Sequence, residues 1–183
     1  MKLNKQGWFS GMRRVMSPNF DTRPSGSKIN LLIIHSISLP PEQFSGAAVE
    51  QLFTNQLDCA THAYYDKLRG VKVSAHFFIR RNGQMIQFVS CHHRAWHAGV
   101  SQWKGRSRCN DFSIGIELEG SDSVPYTDAQ YASLVYLTRR LKRSLKIRDI
   151  TGHANVAPER KTDPGPFFDW MRYLKLAGQA GGE

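Results

Sequence analysis

No apolar run in the 183 residues approaches the roughly 20 that a bilayer-spanning helix needs. A transmembrane helix is therefore not expected. The opening residues, MKLNKQGWFSGMRRV, lack the apolar core of a secretory signal, and the expected compartment is the cytoplasm. Cysteine is scarce: Cys59, Cys91 and Cys109 make an odd number, with no C-x-x-C pair. That pattern argues against a disulfide framework and predicts three reduced thiols. No P-loop, zinc-finger or RNP-type pattern is present, so the usual markers of a nucleotide or nucleic-acid site are missing. Nor is there an internal repeat, or any low-complexity tract apart from a Gly-rich tail.

What is present suffices for an ordinary core. The chain is 40% hydrophobic and 11% aromatic. Its length predicts a single domain over 1–183, with a core at about 28–176, an irregular N-terminal segment and a flexible C-terminal tail. The net charge of +10 calls for an anionic partner or for nothing specific. Its densest patch, RRLKRSLKIR from Arg139 to Arg148, closes a predicted helix, where cations suit the macrodipole. The patch reads as a solvated helical face, and the expected partners include neither nucleic acid nor membrane. A nucleic-acid surface is the alternative; it would show as a steeply salt-dependent affinity.

Periodicity predicts the elements. INLLIIHSI (Ile29 to Ile37) reads as a strand buried on both faces. Ala47 to Thr54 suggests a short helix, and 55–72 a polar loop. SAHFFIRR-NG-QMIQFVS is a hairpin signal, since Asn-Gly favours a type I′ turn. Residues 91–111 are too polar and Gly-broken for a core element and read as a long loop, of the kind that is functional or mobile. DFSIGIELEG alternates cleanly, with Ser113, Gly115, Glu117 and Glu119 on one face. Thr127 and Gln130 form a capping box that opens a helix to about Ser144. A strand at Asp149 to Gly152 and a helix from about Phe167 to Lys175 complete the chain. This order predicts an α/β (α+β) fold: a single mixed central sheet flanked by helices.

Some polar groups sit where they are costly. His35 ends the buried strand, and an imidazole there needs a partner. A core histidine bonded to a backbone carbonyl is the plain alternative. His153 follows Gly152 at the end of another strand, and Asp163 comes ten residues later. Two imidazoles and a carboxylate make a three-ligand zinc set with a fourth position left for water. A base must then serve that water. Glu117 and Glu119 share a strand face, and alternation cannot choose between them. That face is equally readable as a solvated one. Lys161, two residues before Asp163, would suit a developing oxyanion or be a surface lysine. Adjacent His92 and His93 would point to opposite sides of an extended chain and chelate poorly.

IIHSISLPPEQF, VSAHFFIRRNGQ, RAWHAGVS, RCNDFSIGIELEG, YTDAQY and TGHANVAPERKTDPGP, spread over about Gly7 to Trp170, resemble the signature blocks of the AmpD family. These are cytoplasmic 1,6-anhydro-N-acetylmuramyl-L-alanine amidases within the wider N-acetylmuramoyl-L-alanine amidase superfamily. The resemblance implies that superfamily's fold, a Zn2+ cofactor, a muropeptide substrate, and a role in peptidoglycan recycling. It places His35, His153 and Asp163 on the zinc ligands, Glu117 on the catalytic acid/base and Lys161 on the oxyanion lysine. Trp96, His97 and Arg108 fall in blocks that line the substrate groove. Ser36 stands where the family commonly has Asn, and Lys72 where it often has Arg, which loses a bidentate fork. Both are expected substrate contacts. Trp103 is a further candidate for stacking on a sugar, and Glu159 and Arg160 are expected to brace the 151–166 loop. A monomer is expected. The competing reading within the superfamily is a peptidoglycan-recognition module without turnover.

Overall fold

Leu31, Leu32, Ile33 and Ile34 form an unbroken apolar run, which suits a strand covered on both faces. All four are fully buried in the structure, a computed structural model that describes residues 1–178. The Gly-rich tail read as flexible lies outside the described residues. In chain order the strands are β1 (Arg13–Arg14), β2 (Phe20–Thr22), β3 (Leu31–Ile37), β4 (Phe77–Ile79), β5 (Met85–Gln87), β6 (His93–Ala95), β7 (Gln102–Trp103), β8 (Arg106–Ser107), β9 (Ser113–Glu119) and β10 (Asp149–Gly152). The α-helices are α1 (Ala48–Phe53), α2 (Asp128–Ser144), α3 (His153–Val156) and α4 (Trp170–Ala177).

Six strands form one mixed sheet in the order β1-β5-β4-β9-β3-β10. β4, β9, β3 and β10 run parallel, and β5 returns antiparallel to β4. Register positions the site. His35 pairs with Glu117 across β3 and β9, and Gly152 at the end of β10 pairs with Ile34. Three parallel strands thus bring their carboxyl ends together, the edge at which open α/β sheets present ligand sites.

Helices α2 and α4 cover one face of the sheet. Leu32, Ile34, Ile114, Ile116 and Leu118 meet Leu134, Leu137 and Leu141 of α2 and Tyr173 of α4. Apolar residues spaced three and four apart on α2 make that contact. The helix starts at the expected box: Gln130 N–H donates to Thr127 Oγ1 (3.1 Å), and Thr127 N–H donates to Gln130 Oε1 (3.1 Å). On the other face, Leu31 and Ile33 pack with Ala98, Cys109, Phe112 and Val156. Phe78 and Ile86 pack there with Leu52 and Phe53 of α1. None of the helices among the described residues is long and apolar enough to cross a membrane.

Four expectations needed adjustment. The two faces of β9 are both covered, so its alternation separates small and polar side chains from large apolar ones, not water from core. Asn82-Gly83 does join β4 to β5, but not as a type I′ turn. Only Gly83 of the pair has a positive φ (83°), and its N–H donates to Arg80 O (2.8 Å), as in a wider loop ending on a left-handed glycine. Residues 91–111 are anchored rather than loose, with three short strands and buried Cys91, Ala95, Ala98 and Cys109. The last helix begins at Trp170, because Asp169 caps it by accepting the Arg172 N–H (2.9 Å).

Candidate functional site

His35 projects from the end of β3, His153 opens α3 directly after β10, and Asp163 follows on the Pro-rich loop. Their donor atoms converge. The two Nδ1 atoms are 3.0 Å apart, and Asp163 Oδ2 lies 3.2 Å from His35 Nδ1 and 3.1 Å from His153 Nδ1. The far nitrogens are held as well. His153 Nε2 sits 3.2 Å from Ala98 O. A carbonyl only accepts, so a neutral His153 carries its hydrogen on Nε2 and turns an Nδ1 lone pair inward. His35 Nε2 lies 2.9 Å from His97 Nδ1. Crowded lone pairs and a carboxylate repel one another unless a proton or a cation sits among them. Among the described residues this is the one group of three or more His, Cys, Asp or Glu side chains placed to hold a metal ion, and its N/N/O donors suit a zinc-class cation.

Burial shapes the protonation states. It drives the His35 imidazole down to about 4, against the pull of Asp163. Burial would push the Asp163 carboxyl up, but the His153 and His35 imidazoles beside it outweigh that push and hold the group below its usual range. Neutral imidazoles and an ionised carboxylate are the forms that bind a cation.

The cluster opens on a cavity of about 520 Å³, within the range of small-molecule sites. Glu117 and Lys161 line it, as do Ser36, Trp96 and His97, with Leu52, Phe53, Leu68 and Val71 on the apolar side. Glu117 is buried and its Oε2 has no hydrogen-bond partner. Burial, then the Asp163 charge, raises its proton affinity well above the ordinary carboxylate range, with Lys161 opposing. Glu119, on the same strand face, is instead consumed by structure: it accepts from Ser45 N–H (2.7 Å), Arg81 N–H (2.9 Å) and Arg80 Nη1 (3.4 Å).

The 151–166 loop is braced from both sides. Arg160 donates to Ala98 O (3.0 Å) and Val100 O (2.7 Å), the role expected of it. Tyr126 OH donates to Pro164 O (2.7 Å), next to Asp163.

Not every candidate comes to this cavity. Lys72 lines a separate pocket of about 140 Å³ with Leu57 and Cys59. Arg108 is exposed, left-handed (φ 61°) and paired with Asp111 at 3.3 Å. Trp103 packs on the cluster around Phe112, outside the cavity lining. His93 stacks on Phe20 at 4.8 Å rather than joining His92 at a metal. Sequence reasoning missed His76 and Arg23. His76 is fully buried and its Nδ1 accepts the Gly115 N–H (3.1 Å). An imidazole inside the apolar run SAHFFI carries the same signal that marked His35. Arg23 donates to Asn110 O (2.8 Å) and Ser113 O (2.9 Å), and burial lowers its guanidinium to about 10. Nothing in the polar segment around it marks it as half-buried.

Comparison with known proteins identifies the family. The family model of N-acetylmuramoyl-L-alanine amidase matches residues 25–166. The chain is 50% identical over 179 residues to the 1,6-anhydro-N-acetylmuramyl-L-alanine amidase AmpD of Escherichia coli (strain K12), covering 97% of this chain and 98% of that protein. A crystal structure of an AmpD selenomethionine derivative superposes with a TM-score of 0.93 at 51% identity, over 96% of this chain and 99% of the other. The N-acetylmuramyl-L-alanine amidase AmiD from E. coli, solved with the substrate anhydro-N-acetylmuramic acid-L-Ala-D-gamma-Glu-L-Lys, gives a TM-score of 0.60 at 29% identity, over 87% and 62%.

Proposed function

The chain belongs to the N-acetylmuramoyl-L-alanine amidase family, in its AmpD branch, and we propose that it hydrolyses the amide between the lactyl group of 1,6-anhydro-N-acetylmuramyl peptides and L-alanine. The observation that carries this is Glu117: a buried carboxyl with one unpartnered oxygen, opening on the same cavity as His153 and Asp163 of the converging donor set.

His35, His153 and Asp163 would hold a zinc ion, which when bound acidifies water and polarises a carbonyl. The remaining work falls to the chain's own groups. Glu117 takes a proton from the attacking water. Its raised proton affinity matches a group that must both accept and release a proton near neutral pH. It then returns that proton to the amide nitrogen, because an amide anion is too basic to depart. One carboxylate serves both steps. Lys161 sets an ammonium against the charge that develops on the carbonyl oxygen. Trp96 and the apolar wall of Leu68 and Val71 would hold the sugar and lactyl carbons and keep water out of that side. Ser36 offers a single hydroxyl at the cavity rim. Lys72 and Arg108, outside the cavity, would act at longer range by steering the carboxylates of the stem peptide.

A recognition module without turnover would need neither a proton carrier nor a converging donor set, and the presence of both favours the enzyme. We read the described sheet and its helices as one amidase domain, acting as a monomer in the cytoplasm on muropeptides recovered from the wall. Incubation with anhydro-N-acetylmuramyl tripeptide tests the reaction by mass spectrometry. Free tripeptide and anhydro-muramic acid should appear, vanish with a chelator and return with zinc. Intact substrate under zinc-replete conditions would refute the proposal.

A further inference from the structure

The small-residue face of β9 leaves a recess behind the metal donors, and His97 fills it. A Cβ at Gly115 would meet the His97 ring at 2.5 Å, so only glycine admits the imidazole there. The ring stands nearly perpendicular to His35 (88°, centroids 5.0 Å apart). One edge, Nδ1, lies 2.9 Å from His35 Nε2, and the other, Nε2, lies 3.3 Å from Ser113 Oγ. The next residue serves the second histidine: Ala98 O lies 3.2 Å from His153 Nε2. Asn110 Oδ1 holds the dipeptide by accepting both the His97 N–H (3.3 Å) and the Ala98 N–H (2.8 Å), and Arg160 donates to Ala98 O (3.0 Å).

We propose that His97–Ala98, clamped by Asn110, is the orienting shell of both metal-binding histidines, and that His97 is a positioning residue rather than a substrate contact. Ser113 Oγ accepts the His97 Nε2–H, which leaves the Nδ1 lone pair free to accept the Nε2–H of His35. The His35 Nδ1 lone pair is then the one facing His153 and Asp163. Without His97, His35 is free to hold its hydrogen on either nitrogen and to turn about its side-chain bonds, and the donor set loses its preorganisation. The inference rests on reading His35, His153 and Asp163 as the metal site. It adds that residues touching neither metal nor substrate set the affinity of that site.

Zinc affinity measured against a chromogenic chelator tests this without any substrate. His97→Ala should weaken zinc binding by about 10–100-fold, the usual cost of losing an outer-shell partner of a ligand. Gly115→Ala, which alters no polar group, should weaken it in the same direction by displacing the ring. His97→Gln supplies a carbonyl oxygen that can accept from His35 Nε2 and should recover part of the loss. Trp96→Ala should leave zinc affinity unchanged and raise KM instead. Nitrogen-detected NMR of the imidazoles should show the Nε2–H form of His35 in the parent and a mixture in His97→Ala. If His97→Ala does not fold, Gly115→Ala and His97→Gln carry the test. Zinc affinity equal to the parent's in the folded variants, with KM raised, would overturn the proposal and restore His97 as a substrate contact. A parent that binds no zinc would overturn the metal reading and this proposal with it.

Discussion

Glu117 and Glu119 sit two residues apart on the same face of β9, both buried, and they live in opposite surroundings. Glu119 reaches the hairpin rim, where two backbone N–H groups and Arg80 consume its charge. Glu117 reaches the cavity, where one oxygen has no partner and burial favours its protonated form. Buried polar atoms are nearly always satisfied, so an orphan calls for an explanation. Composition and alternation make the two residues equivalent, and the company each keeps decides which one is left free for chemistry.

The sharpest break of this pair is Glu117→Gln. It keeps the shape and removes the proton carrier, and kcat should fall by about 10²–10⁴-fold. Stability should move the other way. In metal-free protein the folded Glu117 holds its proton to a higher pH than the unfolded chain does. Between the unfolded value and the raised folded one, the folded state binds more protons, so stability falls as pH rises through that window. Glu117→Gln lacks this slope. Melting curves of chelator-treated protein should show the variant more stable than the parent at neutral pH, with the advantage shrinking in acid. A variant less stable at neutral pH would mean that Glu117 is satisfied in solution.

Lys161→Met comes next. Losing a cation at the developing oxyanion should lower kcat by about 10²-fold. The lysine also favours the ionised form of Glu117. Its removal should move the acid limb of the kcat/KM profile to higher pH, a shift that a surface lysine would not cause. Glu119→Ala inverts the pattern. It strands two backbone donors and removes one partner of Arg80, which keeps Glu50 at 2.6 Å. The cost should be about 3 kcal/mol, read from urea midpoints, with zinc affinity unchanged. A loss of zinc affinity comparable to that of a ligand variant would erase the distinction between the two glutamates.

The same contrast explains what was legible in the sequence. β3 and α2 were readable because local rules agree with the fold: a run covered on both sides, and a capping box opening a helix with apolar residues three and four apart. His35 and His153 were legible as expensive polar groups at strand ends, and family resemblance singled out the full donor set and Glu117. What escaped depended on contacts between distant segments. Gly115 and Ser113 look like the open side of a strand until His97, from another segment, fills the space. Arg23 carries no local mark of burial, because its partners are carbonyls at Asn110, Asp111 and Ser113. The hairpin was right and its turn wrong, because Gly83 packs against the Ala129 carbonyl of α2, where a Cβ would come within 2.9 Å. Tertiary packing chose that turn, and no dipeptide preference encodes it.

The smallest effect marks the far limit of the comparison, a residue with structural work only. Thr127 caps α2 and also donates from Oγ1 to Arg81 O (2.6 Å), next to the backbone N–H that Glu119 accepts. Thr127→Ala leaves the Gln130 N–H without its cap, at a cost of about 1 kcal/mol. Because the Arg81 turn joins the cap to Glu119, the loss should not be independent of Glu119→Ala. The double variant should cost less than the sum of the two, by roughly 0.5 kcal/mol or more. Strict additivity would show that the cap and the hairpin rim are separate devices. Pairing Thr127→Ala with Glu117→Gln should be additive in stability, since no bond in the structure links the two, and coupling there would mean that the cavity and the rim form one unit.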